Sequence, residues 1–188
     1  MSVNLKDLVF HPDTFFEEIE YRNKNLLFPF AFVAIIAAIG IMDFLLFATH
    51  YTFDFTDVGF SSDSVIGLLV IPFITWALVT LVIFTFARAF SGDGSLPATF
   101  QNIGFGMFPL AIAAVVRLPV TILFQGSNVP MIATVFVAIV LWGFTIWSWY
   151  LWFCATLHTH EISRGKAAVT VGIVVLLQFA FQYAQYLK

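Results

Sequence analysis

Charge is scarce in this sequence. Asp, Glu, Lys and Arg together make up 10% of its 188 residues, where soluble domains carry roughly 25%. That scarcity excludes an ordinary soluble domain. The few charges sum to −3, without the clustered basic face that nucleic acid requires, so nucleic acid is excluded as a partner. Cysteine is nearly absent: Cys154 stands alone, which rules out an intramolecular disulfide and leaves the compartment unreadable from thiols. No basic, early apolar leader precedes the first apolar run at Leu26, so no cleaved signal peptide is expected. Ser2 is not a myristoylation glycine, and Gln185-Tyr186-Leu187-Lys188 is not a prenylation box. Gly92-x-Gly94 lacks the Lys-Ser or Lys-Thr of a phosphate-cradling loop, and no Gly-x-Ser-x-Gly elbow occurs. Ser148 has aromatic neighbours but no base beside it.

What the chain has is apolar mass: 61% hydrophobic and 18% aromatic residues. Only a protein with lipid as its solvent can leave so much apolar surface uncovered. The expected fold class is all-α, an integral membrane bundle of five transmembrane helices with a short amphipathic N-terminal segment. Spans are expected at about 26–48, 65–87, 100–124, 131–157 and 166–187. The stretch Gly94 to Phe124 is central: it is long enough to cross a bilayer yet holds glycines, prolines and Arg117 inside its apolar run. Lipid-facing helices have no need of such residues, whereas packed ones can use them. Pro72, Pro109 and Pro119 are expected to kink their helices.

Residues 1–25 form the N-terminal segment. Leu5, Leu8 and Val9, then Phe15, Phe16 and Ile19, repeat an apolar face interrupted at Pro12. Two short helices lying at the cytoplasmic interface are expected, with a docked or frayed tail as the alternative. Lys6, Arg22, Lys24, Arg88, Arg164 and Lys166 fall on one side of the threading and Lys188 alone on the other. The positive-inside rule then puts the N-terminus in the cytoplasm and the C-terminus outside. The outer loop from His50 to Asp63 carries Asp54 and Asp57 and no cation. Trp147, Trp149, Tyr150, Trp152 and Phe153 read as an interfacial aromatic belt rather than a cofactor box. Gln178, Gln182 and Gln185 share a stripe suited to hydrogen bonds between helices.

With the spans placed, the chain resembles the Yip domain family of membrane proteins, named for interaction with Ypt/Rab GTPases in eukaryotes. Three passages carry the likeness. His11-Pro12-Asp13-Thr14-Phe15-Phe16-Glu17-Glu18-Ile19 is similar to the family's proline-then-phenylalanines entry. Gly94-Ser95-Leu96-Pro97-Ala98-Thr99-Phe100, followed by Phe108-Pro109, is similar to its third span, with Phe108 where a small residue is usual. Leu157 to Ala167, with His160, Ser163, Lys166 and Ala167 in place, is similar to its His-x-x-Ser-x-x-Lys-Ala junction. The resemblance implies five spans, a cytoplasmic N-terminus and no assigned catalysis. The long N-terminal region of eukaryotic trafficking members is lacking, which argues against GTPase binding and for a prokaryotic branch.

Two ionisable residues lie well inside spans. At 1.5 Å rise per residue, Asp43 sits about 9 Å and Arg117 about 7.5 Å outside the midplane. Matched depth suggests an intramembrane ion pair between the first and third spans, because either charge alone is costly there. The plain reading is structural, fixing helix register. The sharper one is a coupling site in a small transporter or channel. His158, His160 and Glu161 are a weak metal candidate lacking further ligands; an interfacial loop is the preferred reading, and no cofactor is expected. The function expected first is a non-catalytic membrane protein of Yip type that organises membrane or partner proteins through its cytoplasmic face. Its partners are then the lipid bilayer and a second copy or another membrane protein. The transporter built on Asp43 and Arg117 is the alternative, and an intramembrane enzyme ranks third.

Overall fold

The computed structural model describes residues 5–20, 25–50, 62–123 and 130–186. Arg22, Lys24, Asp54, Asp57 and Lys188 lie outside them, as do the side chains of Gln182 and Gln185. Eight helices follow in order: α1 (Leu5–Phe10), α2 (Pro12–Glu20), α3 (Leu27–His50), α4 (Ser62–Ala89), α5 (Leu96–Phe105), α6 (Phe108–Leu123), α7 (Met131–His160) and α8 (Arg164–Tyr186). No strand occurs among the described residues. Five stretches are long and apolar enough to cross a membrane: Leu27–Leu46, Val65–Ala89, Leu96–Leu123, Met131–His160 and Arg164–Phe181. The chain is thus an all-α membrane bundle. One end gathers the α1–α2 pair, the α4–α5 loop and the α7–α8 junction; it is called the paired end below.

The third crossing is two helices, not one kinked rod. α5 stops at Phe105 and α6 starts at Phe108. Pro109, expected as an internal kink, is instead the second residue of α6, where its missing N–H is no loss. Pro72 and Pro119 lie inside helices that continue through them. The break leaves carbonyls without their usual helical donors. Met107 N–H turns to Gly104 O rather than Ile103 O, at 3.1 Å. α7 supplies the missing donors. Trp152 Nε1–H donates to Ile103 O at 3.2 Å, and the Ser148 hydroxyl donates to Gly106 O. Ser148 and Trp152 are four residues apart, hence on one face of α7.

α5 is the hub. It packs on α3, α4 and α7, and Thr99, Gln101, Asn102, Ile103, Gly104 and Phe105 are all buried. Gly104 lies against Pro29 of α3 and Trp76 of α4. Trp76 Nε1–H reaches Phe100 O at 3.0 Å. The belt expectation fails for Trp152, which is fully buried in the core. Trp149 also turns to a helix neighbour, donating to Gln178 Oε1 at 3.2 Å.

The N-terminal helices turn their apolar face onto the bundle. Leu8, Phe15, Phe16 and Ile19 are buried in the same cluster as the spans. α2 packs on α7, and the Phe15 ring meets Phe105 edge-on at 5.2 Å. Pro12, at the first position of α2, is buried.

Candidate functional site

The paired end is the most elaborately built part of the molecule. It starts from two helix termini. α4 ends with Ser91 in the left-handed region (φ 66). Gly92 N–H bonds to Ala87 O at 2.9 Å and Ser91 N–H to Arg88 O at 3.0 Å, a Schellman termination. α7 ends with Glu161, also left-handed (φ 50). These two reversals bring the α4–α5 loop against the last turn of α7, and Asp93 N–H donates to His160 O at 3.2 Å. Closeness demands glycine. A Cβ on Gly94 would overlap the Thr159 carbonyl and lie 2.7 Å from His160 Nδ1.

α5 then begins under this loop. Ser95 is its N-cap and accepts from Ala98 N–H at 3.4 Å. The Thr99 hydroxyl donates to Ser95 O at 2.9 Å. Its oxygen can therefore only accept from His160, whose Nε2 lies 3.0 Å away. This places a proton on Nε2 of the imidazole. Asn102 donates to the Thr159 hydroxyl at 2.7 Å, one turn further in. His160, Thr99, Asn102 and Thr159 are all buried, so this small polar network ties α5 to α7 out of contact with solvent. His160 Nδ1 and Gln101 Oε1 are buried without a partner among the described residues.

Cations finish the junction. Lys166 Nζ donates to Phe90 O at 3.0 Å and Arg88 to Gly92 O at 3.0 Å. Both neutralise carbonyls at a helix end. The Ser163 carbonyl receives Ala167 N–H at 3.0 Å as α8 starts, and Ala167 is buried. On the other side, His158 Nε2 lies 3.3 Å from Asp13 Oδ1 of α2.

Two of the three passages noted in the sequence meet directly, with Gly94 of the loop against Thr159 and His160 and with Ser163, Lys166 and Ala167 just beyond; the α2 passage joins α7 through Asp13 and His158 while Phe15 lies against Phe105, and Pro109 sits apart in α6. Thr99 and Thr159 fall within the quoted passages, but the sequence does not single them out as partners of His160 and Asn102. Their signal is only the i, i+3 spacing of Thr99 and Asn102. His158, His160 and Glu161 do not converge: His158 turns to α2, His160 turns inward onto Thr99, and Glu161 is exposed. Among the described residues no three His, Cys, Asp or Glu side chains cluster in a way that could hold a metal.

Replacing His160 with leucine removes the Thr99 contact and its packing under the loop, while the Asp93 bond, made to the backbone carbonyl, is kept. The expected loss is about 1–3 kcal/mol, read as a lower melting temperature in detergent. Thr99→Val should cost less, because His160 keeps its packing.

Asp43 and Arg117 stand apart from this end. Arg117 of α6 donates to the Asp43 carboxylate of α3. The Asp43 side chain is 16% exposed and the Arg117 side chain 48%. Asp43 Oδ1 is buried with no partner among the described residues.

No curated protein and no solved structure matches the chain. A family model does, across nearly its whole length and all three passages. Residues 6–184 match the Yip1 domain, and the chain belongs to the Yip1 domain family of multi-spanning membrane proteins.

Proposed function

We propose that the protein is a non-catalytic organiser of membrane or partner proteins that works through the paired end, held on the cytoplasmic side, with the C-terminus external. The lipid bilayer is its solvent, and the partner is a second copy or another membrane protein. One observation carries this reading against transport. A cavity of about 370 Å³ lies between α4, α6, α7 and α8, and neither Asp43 nor Arg117 lines it. A coupling site has to be reached by its solute. The charged groups of the paired end support the reading from the other side: Glu17, Glu161 and Arg164 are exposed there, on a frame that α2, α5 and α7 hold fixed. Lys6, Arg88, Arg164 and Lys166 all lie on elements of this end, in keeping with a cytoplasmic position. In a prokaryote the membrane is the cell membrane.

The alternative is a small transporter built on Asp43 and Arg117, and the unpartnered Asp43 Oδ1 is the observation in its favour. Reconstitution separates the two. Liposomes holding the purified protein should carry protons and small ions no faster than empty ones, and Asp43→Asn should change nothing. Flux above background that Asp43→Asn abolishes would establish the transporter instead.

A further inference from the structure

The cavity of about 370 Å³ has a construction that packing alone does not explain. Its wall is aromatic. Trp142 stacks on Phe179 with centroids 6.0 Å apart and planes at 14°, and Trp149 stands edge-on to both. Within that wall sits one amide, Gln178. An indole N–H can only donate, so the Trp149 contact fixes which way the amide points: Oε1 faces Trp149. The two N–H groups are left on the other arm, and no described residue accepts from them. Of the three hydroxyls along the lining, two have committed their protons, Thr145 to Leu141 O and Ser148 to Gly106 O; Thr75 on α4 adds a second possible donor. The cavity thus offers a hydrogen-bond donor and wants an acceptor.

Depth and charge narrow the ligand. Gln178 is about 21 Å along α8 from Arg164, and Trp149 about 16 Å along α7 from His160, at 1.5 Å per residue. Both fall in the interior of a hydrocarbon core ~30 Å thick. An unsatisfied amide is costly there. No Asp, Glu, Lys, Arg or His lines the cavity, so a charged ligand finds no counter-ion. Trp142 and Phe179 are both partly exposed on the outside of the bundle, which opens the cavity sideways to lipid. The ester carbonyls of glycerolipids stay near the headgroups, above this level. A ring-borne carbonyl on an apolar molecule can reach it.

We propose that this cavity binds a neutral, ring-bearing, lipid-soluble carbonyl compound, the chemical class of the isoprenoid quinones. The Gln178 amide donates to the carbonyl oxygen, and Trp142, Trp149 and Phe179 flank the ring. The role is binding, with no redox step, and it does not depend on which side the paired end faces.

The test uses the full chain in phosphatidylcholine nanodiscs titrated with decyl-ubiquinone, read by quenching of tryptophan fluorescence and by the shift in melting temperature. Saturable binding is expected. Gln178→Leu should weaken it about tenfold, the value of one lost hydrogen bond, and should lower the ligand-free melting temperature somewhat, because Trp149 Nε1–H loses its acceptor. Trp142→Leu, at a partly exposed position, should weaken it as well and serves if Gln178→Leu folds poorly. Decylbenzene, which has the ring without the carbonyl, should bind at least tenfold more weakly. The proposal is overturned if decylbenzene matches the quinone, if both variants leave affinity unchanged, or if a dioctanoylglycerol binds and the quinone does not.

Discussion

Gly106→Ala is expected to lower the melting temperature of the detergent-solubilised protein by about 6–12 °C, equivalent to an overpacking cost of about 3 kcal/mol. The added methyl would overlap Trp152 Cδ1 and stand 2.6 Å from Trp152 Nε1. Trp152 cannot retreat, since it is buried and its indole is held by Ile103 O. Moving it would also strip the donor that replaces the missing helical bond at the α5–α6 break. The neighbouring Ser148 bond to Gly106 O would stretch with it. Gly106→Val should be worse, whereas Gly143→Ala should be neutral because nothing lies within 4 Å of a Cβ there. The chain carries its own reporter for these melts. Cys154 is the only cysteine and is fully buried, so a thiol-reactive dye labels the protein as it unfolds. A Gly106→Ala protein that melts with the wild type would show that α5 and α7 are not in the contact described.

The second large effect is expected at Asp43 and Arg117. Asp43→Leu leaves an arginine inside the membrane without its carboxylate, and Arg117→Leu strands the carboxylate. Each single change should cost about 2.5–3.5 kcal/mol, the scale for an unpaired charge within a span. The double change to leucine should recover part of that loss, because no charge is then left unpaired. Arg117 is half-exposed and can reach toward the headgroups, so its stranding should be the milder of the two. Additive single effects in the same thiol-labelling melt would mean that the contact contributes nothing and that the register of α3 on α6 is set by packing alone.

The five crossings are legible in the sequence because hydropathy over some twenty residues is a local property, and so is the excess of cations on one set of loops. The equal depth of Asp43 and Arg117 is readable for the same reason, although what the pair is for is not. The break in the third crossing is half legible. Glycines and Pro109 mark the region as unusual, but they fit an internal kink as well as a new helix start. The choice is made by Ser148 and Trp152, which lie more than forty residues away and donate to the freed carbonyls. Trp152 itself shows the limit of a compositional reading: a run of aromatics near a helix end has the same pattern whether the rings face headgroups or a core. The same holds for α1 and α2. An amphipathic face can lie on lipid or on protein, and only the partners Phe105 and α7 distinguish the two. The polar contacts of His160 are less legible still. They depend on two left-handed residues, Ser91 and Glu161, neither of which is a glycine or asparagine that would announce a turn.

The claim on which the rest depends is that the N-terminal helices are part of the bundle, seated on α7 at the paired end. The direct measurement is cross-linking in native membranes, with Asp13→Cys and His158→Cys introduced together in a Cys154→Ala background. These two side chains are 3.3 Å apart at their tips and partly exposed. A short bifunctional thiol reagent should join them within one chain, giving a shifted band that either single cysteine fails to give. If both cysteines react freely with a monofunctional maleimide and the pair never cross-links, α2 is not docked on α7 and the site built around it does not exist.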